Sequence, residues 1–127
     1  MIIWDDHVLL VRRGVDPEKG KWALPGGYMD AHEMPDVALA RELQEEVGIA
    51  VEAVRLIEIF PMAGPSQRNR GIVLVYTAEP ASRTLEELWG RDDVWEAAWF
   101  RAGALPEDLA FESTITLLRQ WQQRVCI

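Results

Sequence analysis

Four charged side chains fall within six residues: Arg41, Glu42, Glu45 and Glu46. The three glutamates are spaced i, i+3 and i+4, which makes them neighbours on a helix. Like charges at that spacing cost a few tenths of a kcal/mol each even in solvent. A hard divalent cation, which prefers carboxylate and water oxygens, relieves the repulsion. Three acids on a helix are also an ordinary solvated face, so the spacing leaves both readings open. Asp92, Asp93 and Glu96 form a second acidic group, each of which also reads as a solvated loop acid. Arg12, Arg13, Arg68 and Arg70 carry guanidinium groups suited to bidentate phosphate contact. On an acidic chain, arginines equally serve solubility. Trp22 and Trp4 offer flat faces on which a base could stack. Trp95, Trp99 and Trp121 read as core, because large aromatics mostly fill interiors.

These groups need elements to position them. Ile2 to Trp4 and Val8 to Arg13 read as strands around the turn Asp5-Asp6-His7. Gly14 to Lys21 is a loop, Trp22 to Leu24 a short strand, and Pro25-Gly26-Gly27 ends it. A helix is expected from about Met34 to Val47, with Pro35 in its first turn and Gly48 just past its end. On a helical wheel Val37, Leu39, Ala40, Leu43 and Val47 share one arc, with Glu42, Glu45 and Glu46 on the other side. Val51 to Phe60 is a strand. Gly71 to Thr77 is nearly all apolar and predicts a buried strand. Pro80 to Asp93 is an acidic connection with one helical turn at Leu85 to Trp89, and Val94 to Phe100 is the last strand. The last helix is expected over Pro106 to Val125, with Phe111, Ile115, Leu118 and Val125 at helical spacing. Strands, helix, strands and helix in that order predict an α+β layered domain with a mixed sheet.

The 127 residues fit one domain, 1–127. A content of 49% hydrophobic and 27% charged residues excludes a disordered or fibrous chain. No apolar run is long enough to span a bilayer, and Met1 to Asp6 lacks the basic region of a signal peptide. A single cysteine, Cys126, excludes an internal disulfide framework and makes a cytoplasmic setting the expectation. Thirteen bases against 21 acids give a net charge of −8. Non-specific binding to nucleic acid polymers or anionic membranes is therefore disfavoured. The charge is local: Gly27 to Ile49 holds six acids and one base.

Gly27 is followed after five residues by Glu33, and after seven more by Arg41-Glu42-Leu43, then Glu45-Glu46, Gly48 and Ile49. This resembles the Nudix box at all nine of its specified positions. With average residue frequencies such a match arises by chance on the order of 10⁻⁹ per window. Gly20 to Gly27 also looks like the family's approach to the box, and the order of elements is similar along nearly the whole chain. The resemblance implies a Nudix fold, an α/β/α sandwich with a mixed β-sheet. It implies that Glu42, Glu45, Glu46 and the Gly26 carbonyl hold Mg²⁺ or Mn²⁺, while Gly27, Glu33, Arg41 and Gly48 shape the motif. One carboxylate, Glu42 or a later acid among Asp92, Asp93 and Glu96, with Glu96 favoured, is then implied to orient or deprotonate the attacking water. The implied reaction is hydrolysis of the pyrophosphate bond of a nucleoside diphosphate linked to another group. ADP-ribose is favoured because Pro65 lies 16 residues beyond Ile49, a spacing similar to the ADP-ribose pyrophosphatase branch. Arg12, Arg68, Arg70 and Trp22 are the expected substrate contacts. The alternatives are a MutT-type (deoxy)nucleoside triphosphate pyrophosphohydrolase and a nucleotide-sensing domain without catalysis. Many relatives form homodimers, which is the assembly the resemblance points to.

Overall fold

A computed structural model describes residues 1–61, 71–82 and 93–125. Its strands are β1 (Ile3–Trp4), β2 (His7–Arg13), β3 (Trp22–Ala23), β4 (Val51–Pro61), β5 (Ile72–Pro80) and β6 (Val94–Arg101). Its helices are α1 (Pro35–Val47) and α2 (Glu112–Val125). β2 pairs antiparallel with β1, β3 and β6. β4 and β5 form a long antiparallel pair. A parallel bridge, Ile2 to Ala78, joins β5 to the first group and makes the sheet system mixed.

β2 shows why two helical layers are needed. Its apolar residues alternate between two interiors, as side chains on a strand must. Val8 and Leu10 pack with Leu117, Leu118 and Trp121 of α2. Leu9 and Val11 pack with Leu43 and Val47 of α1. Val8, Leu9 and Leu10 are wholly buried. The expected α/β/α sandwich is therefore built on a central strand that is apolar on both faces.

α1 starts at Pro35, whose missing N–H would be unpaired at that position anyway. It stops at Gly48, left-handed at φ 66°, whose N–H donates to the Gln44 carbonyl at 3.1 Å. Its buried residues are Ala38, Leu43, Glu46 and Val47, while Val37 is 56% exposed and Ala40 is also exposed. The expected arc is thus rotated, and Glu46 joins the buried side.

Two other expectations are corrected. β5 is not buried throughout: Ile72 and Val73 lie in solvent, and burial begins at Val75. α2 starts at Glu112, because the residues before it pair with β3 instead of coiling. Trp22 N–H donates to the Asp108 carbonyl at 2.9 Å, and Ala110 N–H to the Trp22 carbonyl at 2.7 Å. The buried residues of α2 are Thr114, Leu117, Leu118 and Trp121. Phe111 and Val125, expected on that face, are exposed.

Candidate functional site

The chain between β3 and α1 doubles back over the helix, and Arg41 ties it down. Arg41 donates from Nε to Glu33 Oε2 at 2.8 Å and from Nη2 to Glu33 Oε1 at 3.0 Å, a bidentate pair. Its Nη2 also reaches the Tyr28 carbonyl at 3.2 Å, and its Nη1 reaches Glu45 Oε2 at 3.0 Å and Glu42 Oε1 at 3.2 Å. Asp30 N–H donates to Glu33 Oε1 at 3.0 Å. The bond from Arg41, and then that backbone donor, hold the Glu33 carboxyl below the usual range. The same bond to Glu33 raises the guanidinium's pKa further. Glu33 and Arg41 thus brace the loop.

That brace sets the glycines against the other two glutamates. Gly26 N–H donates to Glu46 Oε2 at 3.3 Å. A Cβ on Gly27 would stand 2.4 Å from the Glu42 carboxyl carbon, so no side chain fits there unless Glu42 moves. Glu46 is only 7% exposed. Desolvation pushes its carboxyl up to about 8, the nearby charges of Asp93 and Glu42 add to this, and the Gly26 N–H and Arg13 oppose it. Glu42 is also raised, chiefly by desolvation, with Arg41 opposing.

A carboxylate that is costly to ionise, with two further acids within electrostatic reach, suits a divalent cation, and every donor in the set is oxygen. Glu42 and Glu46 fit such a group, and of Gly26 it is the N–H that faces Glu46. Glu45 does not join them here: its side chain is 59% exposed and turned to Arg41. Among the described residues no three carboxylates already converge on one point.

The later acids divide by face. Glu96 pairs in register with Arg12, and its strand neighbours Ala98 and Phe100 pack on the α2 side. Glu96 therefore lies on the sheet face away from α1, 3.8 Å from Arg12 Nη1, and not beside the glutamates. Asp93, at the head of β6, is the later acid whose charge reaches Glu46. Asp92, Arg68 and Arg70 fall outside the described residues, as do Pro65, Leu85 to Trp89 and Cys126.

Arg12 is half-buried, and its Nε donates to the Gly20 carbonyl at 3.0 Å. Arg13 donates to the Pro17 carbonyl at 2.7 Å. Trp22 is a core residue, edge-on to Phe100 at 4.8 Å, so the stacking face expected of it is covered by protein. Trp4 is stacked on His7 at 4.8 Å. Trp95, expected in the core, is 52% exposed. Asp93 is one of the three later acids expected from the sequence, whereas nothing in the spacing marks Trp95 as exposed, because an irregularity in β6 places it.

Among the described residues no helix is long and apolar enough to cross a membrane. The family model described as NUDIX domain matches residues 1–120. A curated relative named ADP-ribose pyrophosphatase, from Methanocaldococcus jannaschii, is 32% identical over 108 residues, covering 85% of this chain and 62% of its own length. The chain thus spans about three fifths of that relative. A crystal structure of a MutT NUDIX hydrolase from Burkholderia pseudomallei superposes with a TM-score of 0.82 at 32% identity, covering 94% of this chain and 91% of that one. A bifunctional NMN adenylyltransferase/ADP ribose pyrophosphatase from Francisella tularensis, complexed with AMP and a Mn ion, superposes with a TM-score of 0.69 at 26% identity, covering 98% of this chain and 39% of that one.

Proposed function

The chain belongs to the Nudix family, and on that premise we propose that it is a divalent-metal-dependent hydrolase of the pyrophosphate bond in a nucleoside diphosphate linked to another group, with ADP-ribose as the favoured substrate. The observation that carries this reading is the meeting of the glycine turn with Glu42 and Glu46, braced by Arg41 and Glu33. The choice of ADP-ribose is supported by the name of the archaeal relative. Bound Mg²⁺ or Mn²⁺ would supply charge neutralisation at the diphosphate oxygens and would lower the pKa of the attacking water so that it can give up a proton.

The chain's own groups do the rest. Glu42 and Glu46 would present carboxylate oxygens from α1, and the Gly26 carbonyl, expected from the family motif, would add one from the glycine turn that is tied to Glu46. Gly27 lets the turn approach without a side chain. Asp93 is the proposed acceptor of the proton from the attacking water, replacing Glu96, which faces the other side of the sheet. Glu45, through Arg41, helps fix the guanidinium, and reaches the cation only if that contact opens. The products are a nucleoside monophosphate and the phosphorylated remainder.

A second reading, hydrolysis of nucleoside triphosphates to monophosphate and pyrophosphate, is favoured by the likeness to the MutT structure. Turnover measured with Mg²⁺ or Mn²⁺ across ADP-ribose, dinucleotides and triphosphates separates the two. ADP-ribose is expected to be cleaved fastest, and a tenfold preference for triphosphates would install the second reading. Glu42→Gln should lower kcat by about 10²–10³-fold. Wild-type turnover in that variant would refute the assigned site.

A further inference from the structure

The ribbon of β4 and β5 leaves much of one apolar face in solvent. Both register shifts in the ribbon place their extra residues on β4, so β5 alternates regularly. Val75 belongs to the interior shared with α2, and Ala78 to the one shared with α1. Ile72, Leu74 and Tyr76 therefore lie on the α1 side with Ala78. Residues opposite each other on paired strands share a face. Leu56 is opposite Tyr76, Ile59 opposite Leu74 and Pro61 opposite Ile72. The core that includes α1 takes in only Val51, Val54 and Ala78 of the described ribbon. Beyond it Leu56 is 45% exposed, Ile59 51% and Ile72 61%. The three cross-strand pairs carry no charge. Arg55 and Glu58 are opposite Thr77 and Val75, on the other face.

The outer edge of β4 is closed to a further strand. Ile59 N–H donates to Glu58 Oε1 at 3.1 Å, and the extra residues interrupt the strand twice. A carboxylate at an edge and bulges within it both discourage strand addition. The face is what stays open, and its chemistry selects a second copy of the chain. Copies of net charge −8 repel wherever acids meet acids. Met34 and Val37 are exposed too, but they stand among Asp30, Glu33 and Asp36, so that patch doubled on itself sets acid against acid. A two-fold contact places one surface against itself, which an uncharged face permits. From Leu56 to Pro61 the patch runs about 17 Å and is about 10 Å wide over two strands, a footprint of about 170 Å². A standard interface buries about 800 Å² per partner. The six residues are thus the apolar centre of a contact whose rim is polar, and they fit a weak, reversible dimer.

We propose that the α1-side face of the β4–β5 ribbon, centred on Leu56, Ile59 and Ile72, is the surface through which two copies of this chain form a two-fold dimer. The contact uses no group of the carboxylate site, and its formation does not depend on catalysis.

Sedimentation velocity from low micromolar to several hundred micromolar protein tests it. Wild type should pass from 14.5 kDa toward twice that mass, with a Kd in the micromolar range. Ile59→Glu and Ile72→Glu each put a carboxylate into the contact and should raise Kd about 10-fold or more. Both positions are exposed in the single chain, so both variants should fold, as circular dichroism checks. Val37→Glu changes an equally exposed aliphatic outside the ribbon and should leave Kd within about twofold. Added salt should tighten the dimer, because it screens the repulsion between two acidic copies joined by apolar side chains. A chain that stays monomeric at every concentration overturns the proposal and leaves the face to a different protein. A dimer untouched by Ile59→Glu and Ile72→Glu, weakened as much by Val37→Glu, or dissolved by salt overturns it as well.

Discussion

Glu46→Gln should stabilise the protein in the absence of metal, by an amount that grows with pH. Burial holds the Glu46 carboxyl at about 8, against an ordinary value of 4.5. Between those two values the folded chain keeps a proton that the unfolded chain has released. Stability therefore falls as pH rises through that window and levels off above it. The gap corresponds to about 5 kcal/mol between the fully protonated and fully ionised limits. Glutamine does not titrate, so the variant's stability relative to wild type should improve by about 4 kcal/mol from about pH 5 to about pH 9. For a chain of 127 residues this is a change of about 10–15 °C in the Tm difference. The assay is thermal unfolding of both proteins with a chelator present, at several pH values across that range. A Tm difference that stays constant over the range, or moves the other way, would refute the account of Glu46 as a desolvated carboxyl.

Three further outcomes follow from the same geometry. Mn²⁺ affinity, measured by calorimetry, should climb with pH up to about 8 and then flatten, with a proton released on binding below that value, because the metal displaces the Glu46 proton; affinity independent of pH would count against Glu46 as a ligand. Arg41→Ala should lower activity by about 10–100-fold and speed amide exchange at Asp30, since the Glu33 carboxylate that its N–H bonds loses its anchor; unchanged exchange would show that the loop is held by other means. Gly27→Ala should lower kcat by about 10²-fold with the fold retained by circular dichroism, because the added methyl displaces the Glu42 carboxyl; full activity would mean that Glu42 has no fixed position to lose.

The motif residues and the elements that carry them were legible because their signals are local. Pro35, Gly48 and the apolar periodicity mark α1 within one chain segment, and Arg41 and Glu33, which the resemblance to the family motif singles out, meet as a bidentate pair. The face that Glu46 occupies was less legible. It lies at the edge of the apolar arc, and what buries it is a loop from earlier in the chain. The bulge at Trp95 was not legible at all. Alternation assigns a face to every residue of a regular strand, and one extra residue reverses the assignment for everything on one side of it. That reversal puts Val94, two residues from Glu96, into the interior beside α1 and leaves Trp95 exposed. The start of α2 was misplaced for a related reason: Asp108 and Ala110 spend their backbone groups on Trp22, a partner far away in sequence.

β2, apolar on both sides, carries a consequence for how the chain finds its frame. A strand with one oily and one polar side is locked in phase, because slipping by one residue would put charge into the interior. β2 has no such lock along Val8 to Val11, where either phase buries four aliphatic side chains. What distinguishes the phases lies at its two ends. At one end is the tight reversal through Asp5, with its left-handed φ of 50°. At the other is the step between Arg12 and Arg13, where the pairing with β6 shifts. The residues at that step, which leave Trp95 outside the core, are thus also the ones that keep the central strand from threading one notch out of place. Lengthening the Asp5–Asp6 reversal by a single residue would set two phase markers against each other, exchanging the sides that meet α1 and α2 with little change in the oil buried.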